Sequence, residues 1–378
     1  MKILFVQKVK AFAGSEKYLV EIIPALMARG IDCKFICIVH PDDLLKLDHF
    51  KKVIEDKKIP FEFVSAKKDL SFGLLRRLKS IAKSEDYDLI HLNLIHAELW
   101  FALIKKVFGL KVKLVSTIHG FDETYQAQYG FDPSKVTSTK YIKILKFTEK
   151  KIHKYFAVSK GLHDLVVQGN IIPQSKIRII NYGFDYPEKK NPELIKSDSK
   201  IILVPGRLVE YKGQNFALEM LPKLKTKGIN AKIQIAGDAQ GDFVETLKSK
   251  IKELDIENDV EFLGHVSNID DHYQKCDLVI LTSKSEGFGL VLLEAFNHER
   301  PVITFDVPAF NTTIKHEYSG LITPCFDTDL LAENAAKILS DDKLSKKLTR
   351  NAKKDLLEYY CLNRMVDETV AFYKDALD

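Results

Sequence analysis

The sequence predicts an α/β protein with two Rossmann-like, doubly wound domains facing each other across a cleft. Strands alternate with helices of roughly ten to fifteen residues in both halves, which indicates βαβ units and parallel sheets. A polar, charged stretch at 185–200 interrupts this alternation, which then restarts. A chain of 378 residues is too long for one domain of ordinary size and long enough for two. We therefore expect an N-terminal domain over 1–185 and a C-terminal domain over 186–355.

Short apolar, β-branched segments mark the strands of the first half. In chain order they are KILFVQ, CKFICIV, FEFVSA, DLIHLN, KLVSTIHG, FAVS and KIRIINYG. The segments between them have helical periodicity: SEKYLVEIIPALMARG, 42–57, LSFGLLRRLKSIAKS, AELWFALIKKVFG, 140–156 and GLHDLVVQG. Each strand but the last is thus followed by a helix, as a parallel sheet requires.

The second half repeats the pattern. Its predicted strands are KIILVPG, AKIQIAGD, DVEFLG, DLVILTS, RPVITFD and SGLITP. Helices are predicted near 213–227, 242–254 and 269–275 and over LVLLEAF, and residues 329–378 are predicted to be helical throughout. The last helix, RMVDETVAFYKDAL, has no strand of its own to cover.

Composition narrows the class of protein. Apolar residues make up 46% of the chain and charged residues 29%, as in globular proteins. No apolar run is long enough to span a membrane and no signal peptide is evident, so a cytoplasmic protein is expected. The five scattered cysteines favour buried, reduced thiols. No HExxH or similar pattern occurs, so no metal or other cofactor is expected.

Charge is distributed unevenly. Residues 1–185 hold 31 Lys+Arg and 20 Asp+Glu, whereas the remainder holds 26 and 32. A basic first half suggests an anionic partner. In the predicted helix 140–156, lysines form one arc that includes Phe147, and Phe72 lies near Lys79 and Lys83 in an earlier helix. An ordinary solvated face is the default interpretation, and docking on the inner face of an anionic membrane is the alternative hypothesis.

The stretch SKSEGFGLVLLEAF suggests a binding site. Glu286 follows a predicted buried strand, a Gly-Phe-Gly turn comes next, and Glu294 lies within the apolar helix that begins near Leu290. An unpaired carboxylate among apolar residues is costly, which favours a functional interpretation over a solvated one. Carboxylates can accept hydrogen bonds from sugar hydroxyls, and the amides of Gly287–Gly289 can donate to the same ligand.

Two cations follow another strand end. Arg207 comes directly after KIILVPG, and Lys212 lies five residues on, before a helix. Ligands of open α/β sheets bind outside the carboxyl ends of the strands, where these cations would suit a diphosphate. An ordinary solvated loop is the alternative.

Two residues of the first half are weaker candidates. Gly14 separates a strand from a helix, where a glycine lets phosphate approach the helix amides. It belongs to no GxGxxG pattern, so a dinucleotide-dependent oxidoreductase has little support. His119 ends KLVSTIHG, where it can contact an oxyanion or serve as a surface residue.

Four segments in this order, AVSKGLHD, INYGFD, GRLVEYKG and SEGFGLVLLE, resemble the retaining glycosyltransferases of family 4. That family has the GT-B fold, and the resemblance runs from Gly14 to the terminal helix. It implies a donor-binding C-terminal domain, an acceptor-binding N-terminal domain, and a final helix, about 356–378, that crosses back to the latter. It also implies transfer from a UDP- or GDP-sugar to a glycan or lipid-linked acceptor, without a metal and without a nucleic acid partner.

The resemblance assigns roles to individual residues. Arg207 and Lys212 match the positions that bind the donor diphosphate, Glu286 the one beside the transferred sugar, and Glu294 the one that holds the ribose. His119 matches an active-site histidine near the sugar, and Gly14 a glycine-rich turn. Differences occur too: one glycine of the usual pair is Ala13, and the segment that usually reads Gly-x-Pro is His298-Glu299-Arg300-Pro301. An epimerase or hydrolase of the same fold, or a non-catalytic relative, is the alternative function.

Overall fold

Two parallel sheets, one in each of two units, carry the fold. The computed structural model describes residues 1–122, 125, 128, 130, 132–136, 139–186, 199–238, 241–266 and 268–378. Unit 1 comprises Met1–Phe121, Asp132–Asp185 and Cys361–Asp378, and unit 2 comprises Asp122–Phe131 and Tyr186–Tyr360. Most of the predicted linker at 185–200 lies outside the described residues.

The sheet of unit 1 has seven strands in the order β3-β2-β1-β4-β5-β6-β7, all parallel. The strands are β1 (Lys2–Lys8), β2 (Asp32–Val39), β3 (Phe61–Ser65), β4 (Leu89–Asn93), β5 (Lys113–Ile118), β6 (Lys154–Ala157) and β7 (Ile177–Ile179). The helices between them are α1 (Gly14–Ala28), α2 (Asp48–Asp56), α3 (Phe72–Ala82), α4 (Leu94–Phe108), α5 (Lys140–Glu149) and α6 (Lys160–Gln168). This is the doubly wound arrangement that the strand–helix alternation predicts.

Helix α5 corrects the prediction of one helix over 140–156. Thr139 caps its start by accepting a hydrogen bond from the Ile142 amide at 3.2 Å, and the helix ends at Glu149. The chain then enters β6, so Lys154 and Tyr155 lie in a strand. The longer helix was wrong because the apolar run that begins at Tyr155 is buried against β5 instead of continuing a helical stripe.

The sheet of unit 2 has six parallel strands in the order β10-β9-β8-β11-β12-β13. They are β8 (Lys200–Pro205), β9 (Ala231–Ala236), β10 (Val260–Gly264), β11 (Leu278–Leu281), β12 (Val302–Phe305) and β13 (Leu321–Thr323). The helices are α7 (Gln214–Thr226), α8 (Phe243–Glu253), α9 (Asp270–Lys275), α10 (Leu290–Asn297), α11 (Pro308–Thr313), α12 (Thr328–Ser340) and α13 (Asp342–Tyr359). Helix α11 was not predicted, because its six residues are too few to show a helical period.

The helical C-terminal region is divided in three. Asp341 caps α13 by accepting from the Lys343 and Leu344 amides, and the chain leaves α13 at Tyr360. The last helix, α14 (Leu362–Leu377), belongs to unit 1, where it packs against α1 and β5. The predicted return of the terminal helix to the N-terminal domain is therefore confirmed, and it explains why this helix has no strand of its own.

A buried histidine joins α14 to the sheet of unit 1. His91 of β4 is fully buried, with Nδ1 2.6 Å from the Tyr373 hydroxyl and Nε2 2.6 Å from the Thr117 hydroxyl. Burial lowers the pKa of His91 from 6.5 to about 3. The imidazole is therefore neutral at physiological pH and serves as a hydrogen-bonded core residue.

This histidine should make unit 1 sensitive to acid. In the unfolded chain the imidazole takes up a proton below its ordinary pKa of 6.5, whereas the folded chain resists protonation down to about 3. Above the ordinary pKa, His91 leaves the stability of unit 1 intact. As the pH falls from about 6.5 to about 5, this residue alone should lower the free energy of unfolding by roughly 2 kcal/mol. Trp100, the one tryptophan of the chain, is buried in α4 and reports unfolding of unit 1 by fluorescence.

Urea unfolding at about pH 7.5 and about pH 5 measures this loss. His91→Gln should be less stable at the higher pH and lose less stability on acidification than the wild type. His265→Gln, at a side chain that is 74% exposed, is the matched control and should behave as the wild type does. Equal pH dependence in His91→Gln and the wild type would contradict this role of His91.

Candidate active site

The strand order of unit 2 reverses at β8, which lies between β9 and β11. The loops that leave the carboxyl ends of these three strands are therefore adjacent, the position at which open α/β sheets bind ligands. A cavity of about 210 Å³ lies there within unit 2. Its lining includes Gly206, Arg207, Gly237, Asp238, Val266 and Glu294.

Two glycines let the backbones at the base of the cavity approach closely. A Cβ atom on Gly237 would lie 2.0 Å from the carbonyl oxygen of Gly206, which no side chain can tolerate. The Gly206 amide donates to Ala236 at 2.8 Å, and the Gly237 amide donates to Gly264 at 2.9 Å. The ends of β8, β9 and β10 are thereby held together beneath the cavity.

Arg207 is an exposed residue on a fixed loop. Gln214, buried at the start of α7, donates from Nε2 to the Arg207 carbonyl at 2.9 Å. The next amide, of Leu208, donates to the Asp238 carbonyl at 2.8 Å. The guanidinium Nη2 itself donates to the Tyr211 hydroxyl at 2.5 Å. Its backbone is thus anchored while the charged end stays accessible to an anion.

Lys212 and Glu286 form an ion pair across the loops after β8 and β11, and each side chain is 15% exposed. Two further contacts tie these loops together. The Lys284 amide donates to the Tyr211 carbonyl at 2.8 Å, and a Cβ atom on Gly213 would lie 2.2 Å from the Thr282 carbonyl oxygen. Lys212, predicted to bind the diphosphate, is therefore paired with Glu286, predicted to lie beside the sugar.

The turn Gly287–Phe288–Gly289 leads into α10. Gly289 has a φ of +87°, and a Cβ atom there would lie 2.6 Å from the Phe310 ring, so glycine is required on both counts. Phe288 is 3% exposed and packs edge-on against Tyr360, with ring centroids 6.0 Å apart. The Phe288 side chain fixes the turn, while the first turn of α10 begins at Leu290.

Glu294 lies in the middle of α10 and lines the cavity. Its neighbours in the chain, Leu293 and Ala295, are fully buried, and Glu294 is the single charged residue of α10. The Tyr273 hydroxyl lies 3.3 Å from its Oε2 atom. The carboxylate can accept hydrogen bonds from the hydroxyl groups of a ligand that occupies the cavity.

His119 follows β5 in unit 1, where both ring nitrogens have partners. Nε2 lies 2.8 Å from Asn93 Oδ1, an acceptor, so this nitrogen carries the proton. Nδ1 then accepts from the Tyr182 hydroxyl at 2.6 Å. Burial lowers the pKa of His119 to about 3, so the imidazole is neutral at pH 7. It cannot act as a general acid at that pH and is suited to orienting a ligand.

Gly14 begins α1 in the same unit, and Glu16 completes the turn. Glu16 is 4% exposed, and its Oε2 accepts from the Ala13 amide at 3.2 Å. Gln7, at the end of β1, donates to the other oxygen of Glu16. Burial raises the pKa of Glu16. The ring of Tyr18, one turn along α1, lies 5.2 Å from that of His119, which places this turn near the end of β5.

The structure brings the four charged candidates of unit 2, and the turn from Gly287 to Leu290, to one edge of one sheet. Gly14 and His119 lie in unit 1, and their roles toward a ligand stay predictions. Sequence reasoning did not find Tyr211, Gln214 or Tyr273. Tyr211 lies within GRLVEYKG but was given no role, and Gln214 and Tyr273 lie at helix positions outside the quoted motifs. Only the folded chain brings them to the charged residues.

The described residues contain neither a metal site nor a membrane-spanning helix. Among the ranges given above, no group of three or more His, Cys, Asp or Glu side chains is arranged to hold a metal ion. Within the same ranges, no helix is long and apolar enough to cross a membrane.

Two family models match the chain in succession. Residues 12–186 match the model described as Glycosyltransferase Family 4, and residues 185–355 match the one described as Glycosyl transferases group 1. Together they cover residues 12–355, which leaves out β1 and the end of the chain from residue 356. The chain belongs to the family 4 glycosyltransferases and has the GT-B fold.

Individual relatives agree with this family. An uncharacterised glycosyltransferase of Methanocaldococcus jannaschii is 33% identical over 58% of this chain and 60% of its own length. An N-acetyl-α-D-glucosaminyl L-malate synthase of Bacillus anthracis is 27% identical over 93% and 91%. A Campylobacter jejuni α-1,4-N-acetyl-D-galactosaminyltransferase, named for a diphosphoundecaprenol-linked acceptor, is 26% identical over 93% of each chain.

A solved structure supports the fold. Anabaena HepE in complex with UDP-glucose superposes with a TM-score of 0.82, at 21% identity, over 99% of this chain and all of that one. At this identity the likeness shows the fold alone.

Gly237 provides a test of the base of the cavity. Gly237→Ala should destabilise unit 2 by roughly 2–4 kcal/mol, since the new methyl group overlaps a carbonyl oxygen of fixed backbone. Gly264→Ala is the matched control: its φ is +64°, but a Cβ atom there meets nothing within 4 Å. It should cost only about 1 kcal/mol from backbone strain. Differential scanning calorimetry measures both, and equal losses would contradict the close approach.

Proposed function

We propose that this glycosyltransferase transfers a sugar, with retention of configuration, from a nucleoside diphosphate sugar to a glycan or lipid-linked acceptor in polysaccharide or glycolipid synthesis. One observation carries the proposal: Arg207 and Glu294 line a cavity within unit 2, and the Lys212–Glu286 ion pair lies in the loops at the same sheet edge. The similar HepE structure contains UDP-glucose, which supports a UDP-sugar as donor, with a GDP-sugar as the alternative.

The donor would occupy the cavity of unit 2 with its nucleoside toward Glu294. A carboxylate can accept hydrogen bonds from both the 2′ and 3′ hydroxyls of a ribose, which explains a partly buried acid in an apolar helix. The diphosphate would then meet the Arg207 guanidinium, the Lys212 ammonium and the first-turn amides of α10. A guanidinium fork and a helix N-terminus both bind phosphate oxygens.

Lys212 and Glu286 would act on the bond that breaks. In this structure the two side chains pair with each other. Once donor binds, the diphosphate would share the Lys212 ammonium with Glu286, which stays beside the transferred sugar. Fixed cations at the departing diphosphate lower the barrier because negative charge develops there in the transition state. We propose that these cations replace a metal ion in this role.

We propose a front-face displacement. The bond between the sugar's anomeric carbon and the diphosphate oxygen breaks, and a bond to the acceptor hydroxyl oxygen forms on the same face. The acceptor's proton passes to the departing diphosphate oxygen, so no protein base is needed. A neutral His119 fits this scheme because it can orient the sugar or acceptor without exchanging a proton.

Variants of the two carboxylates test the assignment. Glu294→Ala should raise the donor KM roughly ten- to hundredfold with little change in kcat, because ribose contacts are alike in ground and transition states. Glu286→Ala should mainly lower kcat, by roughly a hundredfold. Glu245→Ala, at an exposed position on α8, is the control.

The donor is first identified by thermal-shift screening against UDP-, GDP- and ADP-sugars. The absence of a shift with all three would count against the donor site. Donor breakdown without acceptor would indicate a hydrolase or epimerase instead. Equal, negligible effects of the two carboxylate variants would contradict the assigned roles.

We also propose that unit 1 docks on an anionic membrane. Three apolar side chains of this unit, Leu70, Phe72 and Val107, are 50%, 58% and 59% exposed. They belong to one area, the basic apolar surface, since the Phe72 ring lies 5.8 Å from that of Phe108, next to Val107. Arg76 and Lys79 lie over these two rings, 4.9 and 4.5 Å from the centroids.

Charge favours a bilayer as the partner of this surface. The exposed charged residues of α3 are basic, and α4 ends with Lys105 and Lys106. Apolar side chains surrounded by cations suit an interface of acyl chains and anionic headgroups. Phe147 is only partly exposed, unlike Phe72, so α5 contributes charge more than apolar area.

Co-sedimentation with vesicles tests this surface. Wild type should bind vesicles that contain phosphatidylglycerol at low salt and not vesicles of phosphatidylcholine alone. Phe72→Glu should weaken binding by roughly tenfold or more, through lost apolar burial and added repulsion. Leu357→Glu, at a residue of unit 2 that is 54% exposed, should bind as the wild type does. Wild-type protein that stays in solution at low salt would refute membrane docking.

A further inference from the structure

Next to Glu294, three side chains of unit 2 that do not line the cavity form a connected group: Asp270, Tyr273 and His298. Two of them are buried, Tyr273 at 0% and His298 at 1% exposure. Polar side chains this deeply buried are normally held by hydrogen bonds, and their partners indicate what they fix. No sequence motif marked Asp270 or Tyr273.

Tyr273 presents its hydroxyl to α10. The oxygen lies 3.2 Å from the Val291 carbonyl and 3.3 Å from Glu294 Oε2. Burial raises the pKa of Tyr273, and the nearby Glu294 carboxylate raises it further, so the hydroxyl keeps its proton. A carboxylate only accepts hydrogen bonds, so Tyr273 is the donor, and its single proton is shared between two oxygens of the same helix.

His298 supports the Tyr273 ring from the other side. The two rings are stacked, with an interplanar angle of 10° and centroids 5.3 Å apart. His298 Nε2 lies 2.9 Å from Asp270 Oδ1, which fixes the imidazole in its plane. Without the imidazole, that face of the tyrosine would lose its stacked ring.

The group links two helices. Asp270 and Tyr273 belong to α9, one turn apart, whereas Glu294 belongs to α10 and His298 caps its end. The His298 amide also donates to the Glu294 carbonyl at 3.1 Å. A shift of α10 relative to α9 would therefore have to break the stack, the Asp270 contact and the Tyr273 hydrogen bond together.

We propose that Tyr273, held by His298 and Asp270, is a positioning residue that orients the Glu294 carboxylate for the donor's ribose hydroxyls. The inference rests on the proposed function, in which Glu294 binds the ribose. The group contacts no reacting atom, so it should set donor affinity and leave the rate of transfer unchanged. A purely structural group would instead change stability without changing the donor KM.

A double-mutant cycle separates these roles. Tyr273→Phe removes only the hydroxyl and should raise the donor KM and the Kd of the nucleoside diphosphate by about fivefold, with kcat unchanged. In a Glu294→Ala background the same change should have no further effect, because the carboxylate that it orients is gone. UDP, GDP and ADP are the calorimetric probes, and the one that the wild type binds is used for all variants.

Two further variants complete the design. His298→Ala, which removes the stacked imidazole, should weaken nucleotide binding in the same direction with kcat retained, and it keeps the test valid if Tyr273→Phe folds poorly. Tyr155→Phe is the matched control: Tyr155 is fully buried in unit 1, outside the cavity of unit 2, and both constants should stay at wild-type values.

An unchanged donor KM in Tyr273→Phe would overturn the inference, as would an equal loss with and without Glu294. Failure of the wild type to bind any of the three nucleotides would instead refute the proposed function. The two failures are therefore distinguishable.

Discussion

The reversal of strand order at β8 is the constraint on which the site of unit 2 depends. In a parallel sheet each strand ends at the same edge, and placing β8 between β9 and β11 brings the loops after all three into contact. The loop after β8 carries Arg207 and Lys212, and the one after β11 carries Glu286 and leads to Glu294. Gly206 and Gly237 let the ends of β8 and β9 approach each other closely, and both glycines line the cavity at that edge.

Electrostatics within this edge are arranged before any ligand binds. The Lys212 ammonium is held by Glu286, and the Arg207 loop is fixed by Gln214 while its guanidinium stays exposed. Cations that are already in place need little reorganisation when charge develops on a departing group. The same arrangement compensates the energetic cost of holding Lys212 and Glu286 at the low exposure observed.

His91 and His119 of unit 1 show that burial decides the protonation state of an imidazole. His91 and His119 both have a pKa of about 3, yet one is a core residue joined to the terminal helix and the other ends a strand beside Tyr182. Neither can carry charge at physiological pH. Their different surroundings follow from position in the sheet, since His91 lies within β4 and His119 comes after the last residue of β5.

The sequence by itself determined the fold class, the alternation of strands and helices, and the charged residues at the strand ends of unit 2. It did so because periodicity and strand-end position are local properties. It failed at helix 140–156 and at α11, where length and burial against a neighbouring strand decided the outcome. Only the tertiary structure decided that Lys212 pairs with Glu286, that burial keeps His119 neutral and that the Tyr273 hydroxyl contacts Glu294. These interactions join residues far apart in the chain.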